Sequence, residues 1–299
     1  MLLVRTLLFT PGNNWRMIQK ARDLQADAII LDLEDAVPMA EKETARIFVR
    51  DGIPLIKSSG NQTFVRVNAL TTGLTQEDLF YSVQETLDGV ILSKTESTAD
   101  IQQIGEMLDK LEKENGLPLG STSLIPLLET ARGVMNAEKI APASGRIIGL
   151  CFGALDFTRN MGTTQSRDGT EIFYARSKIA LVANAYNIQP IDTPWFNLAD
   201  AEGLDRDAGL ARRLGFKGKL LIHPEQIERV NQIFSPSEGD VAYAETVVKA
   251  FKEAERQGIG AVSLHGKMID VASFHQAEAL LKYAHLIAEK GAKKKQTLF

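Results

Sequence analysis

Ser123-Leu124-Ile125-Pro126-Leu127-Leu128-Glu129 is an apolar run, too short for a helix of its own, that stops at an acid. Such a run reads as a buried parallel strand ending in a carboxylate. A helical segment follows from Ala131 to Ile140, closed by the breakers Pro142 and Gly145. A second apolar run, Arg146-Ile147-Ile148-Gly149-Leu150-Cys151-Phe152, then leads through Gly153-Ala154-Leu155 to Asp156. The unit is strand–helix–strand with an acid after each strand. Consecutive parallel strands of such a unit lie side by side, about 5 Å apart, so acids just past their carboxyl ends can converge on one point. Two converging carboxylates with no His or Cys beside them suit a hard cation, most simply Mg²⁺, which keeps several waters and takes substrate oxygens as its other ligands. The alternative is that Glu129 caps the next helix and Asp156 sits in a solvated turn.

Outward from this unit, apolar runs recur with helical segments between them: Arg5 to Phe9, Ala28 to Leu33, Thr63 to Val67, Gly89 to Leu92, then the two already quoted, a weaker run at Ile188 to Ile191, and Lys219 to Ile222. Eight strands alternating with helices, with no Gly-rich dinucleotide fingerprint, predict an α/β fold of the eight-stranded parallel (β/α)8 type, a TIM barrel, over residues 1–234. In such barrels the chemistry sits at the carboxyl ends of the strands. Here those ends carry Thr10 to Asn14, Asp32-Leu33-Glu34-Asp35, Arg66-Val67-Asn68, Lys94, Glu129, Asp156 and His223-Pro224.

After the first strand, Pro11-Gly12-Asn13-Asn14 opens a helix carrying Arg16 and Lys20, an arrangement that favours an anion such as phosphate, unless the helix is capped and its cations solvated. After the second strand, Glu34 or Asp35 could hold a metal-bound water or act as an acid or base, while the other acids pair with Lys42, Arg46 or Lys94. Arg66 stands between apolar residues of the third strand. An inward arginine there would bind a carboxylate or thioester oxygen, and pairing with the acids of the second strand is compatible with that role. His223 reads as a hydrogen-bonded structural residue. Residues 235–299 continue with a polar break at Ser235 to Asp240, a helix over Ala242 to Gln257, an apolar segment punctuated by Gly258, Gly260 and Gly266, and a last helix. This region is expected to be a mobile lid or subunit contact.

The composition, 44% hydrophobic and 24% charged over 299 residues, is that of a globular chain. A net charge of -4 and a pI near 5.7 argue against nucleic-acid and membrane-surface partners. Cys151 has no second cysteine to pair with and reads as a buried structural thiol. Met1 to Arg5 lack the layout of a signal peptide, so cytoplasmic residence is expected.

Arg5 to Asn14, Leu31-Asp32-Leu33-Glu34-Asp35-Ala36-Val37, Leu128-Glu129-Thr130-Ala131-Arg132-Gly133 and Gly153-Ala154-Leu155-Asp156-Phe157 together resemble the citrate lyase beta-subunit-like family of the HpcH/HpaI aldolase superfamily. Asp168-Gly169-Thr170-Glu171 and Gly266-Lys267-Met268-Ile269-Asp270 extend the resemblance nearly end to end. It implies a barrel that binds Mg²⁺ and a coenzyme A thioester. By resemblance, Glu129 and Asp156 hold the metal, Glu34 lies in its outer shell, Arg66 contacts substrate oxygens, and the segment with Arg16 and Lys20 lies near the coenzyme A phosphates. Lys94 completes the expected substrate-binding set. In the related malyl- and citramalyl-coenzyme A lyases an aspartate of the C-terminal segment enters a neighbouring subunit's site as acid or base. Asp270 holds the matching motif, which implies a homotrimer or a dimer of trimers. His223-Pro224 stands where citrate lyase beta subunits carry asparagine and proline, a departure that weakens the expectation of an acyl-carrier-protein substrate.

The resulting expectation is reversible cleavage of a 3-hydroxyacyl-coenzyme A thioester, of citramalyl, malyl or citryl type, into acetyl-coenzyme A and a 2-oxo acid. The alternatives are a citrate lyase beta subunit acting on a citryl group carried by an acyl carrier protein, and a non-catalytic acyl-coenzyme A binding protein.

Overall fold

Each of the eight apolar runs folds as a strand: β1 (Thr6–Pro11), β2 (Ala28–Asp32), β3 (Gln62–Val67), β4 (Gly89–Leu92), β5 (Ser123–Leu128), β6 (Gly149–Phe152), β7 (Gln189–Asp192) and β8 (Gly218–Leu221). They form a closed barrel in chain order, every neighbour parallel and β1 paired with β8. The computed structural model describes residues 4–264 and 266–297; Met1 to Leu3 of the N-terminal stretch read above lie outside them. The chain divides into two compact units between Phe234 and Ser235.

Around the barrel run α1 (Trp15–Ala21), α2 (Lys42–Lys57), α3 (Thr75–Ser82), α4 (Thr98–Glu114), α5 (Ala131–Met135), α6 (Ala137–Ile140), α7 (Ala154–Asn160), α8 (Phe173–Ala185), α9 (Ala201–Leu214) and α10 (Gln226–Phe234). The helices follow from their sequences. In α2, Ala45, Val49, Gly52, Ile53 and Ile56 recur at three- and four-residue spacing and are buried. In α4, Ser97 and Asp100 form a capping box. Two expectations shift. The single helix read from Ala131 to Ile140 breaks at Asn136, whose Nδ2 turns aside to bond the Glu96 carbonyl at 2.8 Å. β6 starts at Gly149 rather than Arg146, because the Arg146 guanidinium is held by Glu112 at 2.6 and 2.8 Å and by the Thr122 carbonyl at 2.9 Å.

Strand alternation separates two cores. Leu7, Ile30, Phe64, Ile91, Leu127, Cys151, Ile191 and Leu220 fill the barrel, while Leu8, Ile29, Val65, Val90, Leu128 and Phe152 pack between sheet and helices. Two residues beyond Leu7, Ile30, Phe64 and Leu127 stand Phe9, Asp32, Arg66 and Glu129. Inward parity therefore delivers all four to the barrel's carboxyl-end mouth. On the outward side lies a buried ion network that sequence reading missed. Lys219 Nζ bonds Asp192 at 2.6 Å and Asp207 at 2.5 Å, and Arg176 reaches both acids. Paired charges of this kind tolerate burial because each is fully partnered.

The second unit holds α11 (Glu238–Arg256), the antiparallel hairpin β9 (Val262–Leu264) and β10 (Lys267–Ile269), and α12 (Val271–Thr297). Its own core contains Val247, Phe251, Ile269 and Ala277, with Phe274 stacked on Phe251 at 4.9 Å. The polar break at Ser235 to Asp240 turns out to start α11, with Ser237 and Asp240 as its capping box. The segment punctuated by Gly258, Gly260 and Gly266 contains this hairpin. Among the described residues no helix is long and apolar enough to cross a membrane.

Candidate active site

The mouth of the barrel encloses a cavity of about 330 Å³, lined by Phe9, Asp32, Arg66, Glu129, Asp156 and Thr193 with Leu155, Phe196, Leu220 and Ile222. Arg66 stands beside Asp32 in the strand register. Its Nε and Nη2 bond the two Asp32 carboxylate oxygens at 2.7 and 2.6 Å, its Nη1 lies 2.9 Å from Glu34 Oε2, and its guanidinium sits 4.5 Å from the centroid of the Phe9 ring. Both expected roles of Arg66 are thus geometrically open: it is paired with acids of β2, and it lines the cavity. Burial works against the Asp32 carboxylate, but the Arg66 charge and the N–H groups of Glu34 and Ala36 outweigh it and hold Asp32 below the usual carboxylate range.

The acids after β2 divide their labour. Glu34 is buried between Lys94 Nζ, which donates to Oε1, and Arg66. The short approach of Arg66 to Oε2 lacks hydrogen-bonding direction, so Oε2 has no hydrogen-bond partner. Burial raises the Glu34 pKa against the pull of both cations. Asp35 is exposed, 4.0 Å from Lys94. Among the described residues Lys42 pairs with no carboxylate: its Nζ donates to the carbonyls of Leu33 and Glu34 at 2.5 and 2.7 Å and to Asn68 Oδ1 at 3.0 Å, pinning the turn. Arg46, the third expected partner, turns away to Asp78 and Glu77.

Glu129 follows β5 and is buried. Burial first, then the nearby charges of Glu34 and Asp156, push its pKa to about 8 despite Arg66 and Lys94. The turn that brings Asp156 to the same cavity depends on two contacts. Gly153 lies so close to Glu129 that a Cβ there would stand 2.6 Å from Oε2, and the Ala154 N–H is held by Thr193 Oγ1 at 2.9 Å. Asp156 is half-buried and ion-paired with Arg159, an exposed side chain. Among the described residues no three His, Cys, Asp or Glu side chains form a metal cluster. The protein therefore offers two carboxylates, and the charge they share in a buried site is what a divalent cation would neutralise. A two-carboxylate site completed by waters and substrate oxygens is the coordination Mg²⁺ accepts. The residues fit.

The structure thus lines one cavity with Arg66, Glu129 and Asp156, and sets Glu34 against Arg66 and Lys94 against Glu34 and Glu129 beside it. It does not bring Arg16 and Lys20 into the cavity: both are exposed on α1, and Asn14 Oδ1 already accepts the Met17 N–H at that helix start. Asp270 belongs to the second unit. There its Oδ1 accepts from Ser273 N and Oγ, both at 2.8 Å, which caps α12 and holds its pKa below the ordinary value. His223 is half-buried, its Nδ1 accepting from Glu225 N at 3.3 Å. Cys151 is buried inside the barrel, and burial pushes its thiol well up. Sequence reading gave no site role to Phe9 or Thr193. Strand parity from Leu7 could have found Phe9. The bond from Thr193 to Ala154, 39 residues earlier at the start of α7, has no local signal.

The model of the HpcH/HpaI aldolase/citrate lyase family matches residues 5–224. Over 292 residues the chain is 39% identical to citrate lyase subunit beta of Leuconostoc mesenteroides subsp. cremoris, covering 97% of each chain. Over 296 residues it is 34% identical to mitochondrial citramalyl-CoA lyase of Homo sapiens, covering 96% of this chain and 87% of the other. Among solved structures, protein CitE from Mycobacterium tuberculosis in complex with magnesium, acetoacetate and coenzyme A superposes with a TM-score of 0.74 at 31% identity, covering 95% of this chain and 98% of that one.

Proposed function

The chain belongs to the HpcH/HpaI aldolase/citrate lyase family, and from that premise we propose that it is a Mg²⁺-dependent carbon–carbon lyase that reversibly cleaves a 3-hydroxyacyl-coenzyme A thioester into acetyl-coenzyme A and a 2-oxo acid. The observation that carries this reading is the convergence of Glu129, Asp156 and Arg66 on one cavity at the carboxyl ends of the strands. Glu129 and Asp156 would hold the metal, which supplies a Lewis acid that lowers the substrate hydroxyl pKa and stabilises the developing carbonyl. Glu34, whose Oε2 faces Arg66 without a directed hydrogen bond and whose pKa burial raises, takes up the hydroxyl proton, through one water where the reach requires it. The carbon–carbon bond then breaks and its electron pair becomes a thioester enolate. Arg66, fixed by Asp32 and Glu34, places positive charge against the enolate oxygen without having to reorganise. Asp270 of a neighbouring subunit, protonated from solvent, delivers that proton to the enolate carbon while Glu34 gives its own back to solvent, and Arg16 and Lys20 hold the coenzyme A phosphates. A homotrimer or dimer of trimers in the cytoplasm completes the reading.

The 39% identity to a citrate lyase subunit beta supports a second reading, in which the thioester is a citryl group on an acyl carrier protein and the product is oxaloacetate. Assaying acetyl-coenzyme A release from malyl-, citramalyl- and citryl-coenzyme A, with Mg²⁺ and no partner protein, separates the two. Turnover of a free thioester, abolished in Glu129→Ala, is expected. Turnover only of a carrier-bound citryl group would select the second reading, and thioester binding without cleavage of any of them would leave an acyl-coenzyme A binding protein.

A further inference from the structure

Lys94 has a backbone φ of +51°, in the left-handed region that costs a residue with a Cβ. Nothing in the sequence around it demands that cost, and a glycine would avoid it. What the conformation achieves is visible in two bonds. The Lys94 N–H points at Glu129 Oε1, 2.8 Å away, and its ammonium bonds Glu34 Oε1. Among the described residues this N–H is the one hydrogen-bond donor to the Glu129 carboxylate. With Oε1 so held, Oε2 is the oxygen left for a ligand. Lys94 does not line the cavity that holds Arg66, Glu129 and Asp156; it lines a neighbouring one of about 310 Å³, with Ser93, Ser97, Thr130 and Arg132.

We infer that Lys94 is a positioning residue rather than a substrate ligand: one strained residue after β4 fixes the carboxylate after β5 through its backbone and the carboxylate after β2 through its side chain. The inference rests on Glu129 being a metal ligand. Both halves can be separated by substitution. Lys94→Gly keeps the backbone conformation at no steric cost and keeps the N–H, but removes the ammonium. Lys94→Ala removes the ammonium and also favours relaxation out of the left-handed region, which draws the N–H off Glu129.

The experiment is calorimetric titration of the metal-free full-length protein with Mg²⁺, beside steady-state kinetics at saturating Mg²⁺ and melting temperature. Lys94→Gly is expected to melt no lower than the wild type and to lose about tenfold in turnover, with KM for the thioester within about twofold. Lys94→Ala is expected to bind Mg²⁺ several-fold more weakly than Lys94→Gly. A raised KM with turnover retained would make Lys94 a substrate ligand and overturn the inference, as would equal Mg²⁺ affinities of the two variants. Glu129→Ala is the control: if Mg²⁺ affinity survives it, the metal site itself is misassigned and the inference falls with it. If that affinity is lost while both Lys94 variants bind and turn over like the wild type, only the role of Lys94 is wrong.

Discussion

Glu129 shows most clearly why burial chemistry matters here. Its pKa of about 8 is raised chiefly by burial, with Glu34 and Asp156 adding repulsion. With its pKa pushed to about 8, the Glu129 carboxyl carries a proton at neutral pH when no metal is present, and a cation must displace that proton to bind. Mg²⁺ affinity should therefore rise with pH up to about 8 and level off above it, with close to one proton released per metal bound near pH 7. Calorimetry in buffers of different ionisation enthalpy measures that number, and affinity independent of pH between 6 and 9 would contradict the assignment. At this scale the sequence was legible where a residue type was out of place: an acid ending an apolar run, an arginine inside one. It named Lys94 as a partner of the β2 acids and as a substrate ligand, but was silent on its backbone, because a left-handed conformation at a lysine leaves no compositional trace. It was also silent on which β2 acid would meet Arg66, since that depends on strand register as well as order.

The β5 to β6 unit that decided the fold in the sequence also sets the spacing of the site. Its strands were readable from apolar length alone, whereas the break at Asn136 and the late start of β6 came from side chains that bond to distant backbone or acids. The turn after β6 is the sensitive element. Gly153 has φ -112°, which any residue adopts, so its requirement is steric alone. An alanine there would place Cβ 2.6 Å from Glu129 Oε2 and 2.8 Å from Glu129 Cβ, and one strand end would have to move. Gly153→Ala should leave the barrel folded with a stability loss of about 1–3 kcal/mol and weaken Mg²⁺ binding by tenfold or more. Circular dichroism with calorimetry checks both. Wild-type Mg²⁺ affinity in a folded Gly153→Ala protein would show that Glu129 needs no such close approach.

For the whole molecule, eight strands in order were enough to predict the barrel, because parallel strands alternating with helices leave few ways to cover both faces of a sheet. The second unit was less legible: its hairpin strands are three residues each, too short to stand out among the glycines around them. In that unit Asp270 caps α12, and the Ser273 hydrogen bonds lower its pKa, so it is a carboxylate at neutral pH; under the proposed function this form would accept a proton from acetyl-coenzyme A in synthesis, and in cleavage it would first take one from solvent. If it serves a neighbouring subunit, Asp270→Asn should retain Mg²⁺ and thioester binding while losing turnover, since the amide keeps the shape and the cap but cannot exchange the proton. Mixing Asp270→Asn with Glu129→Ala is the sharper test. Each variant alone is inactive, but a hybrid oligomer contains interfaces at which an intact metal site meets an intact Asp270, so part of the activity should return as subunits exchange. Mass spectrometry of the mixture establishes that hybrids have formed. Hybrids with no regained activity would confine Asp270 to its own chain or to its role as a helix cap.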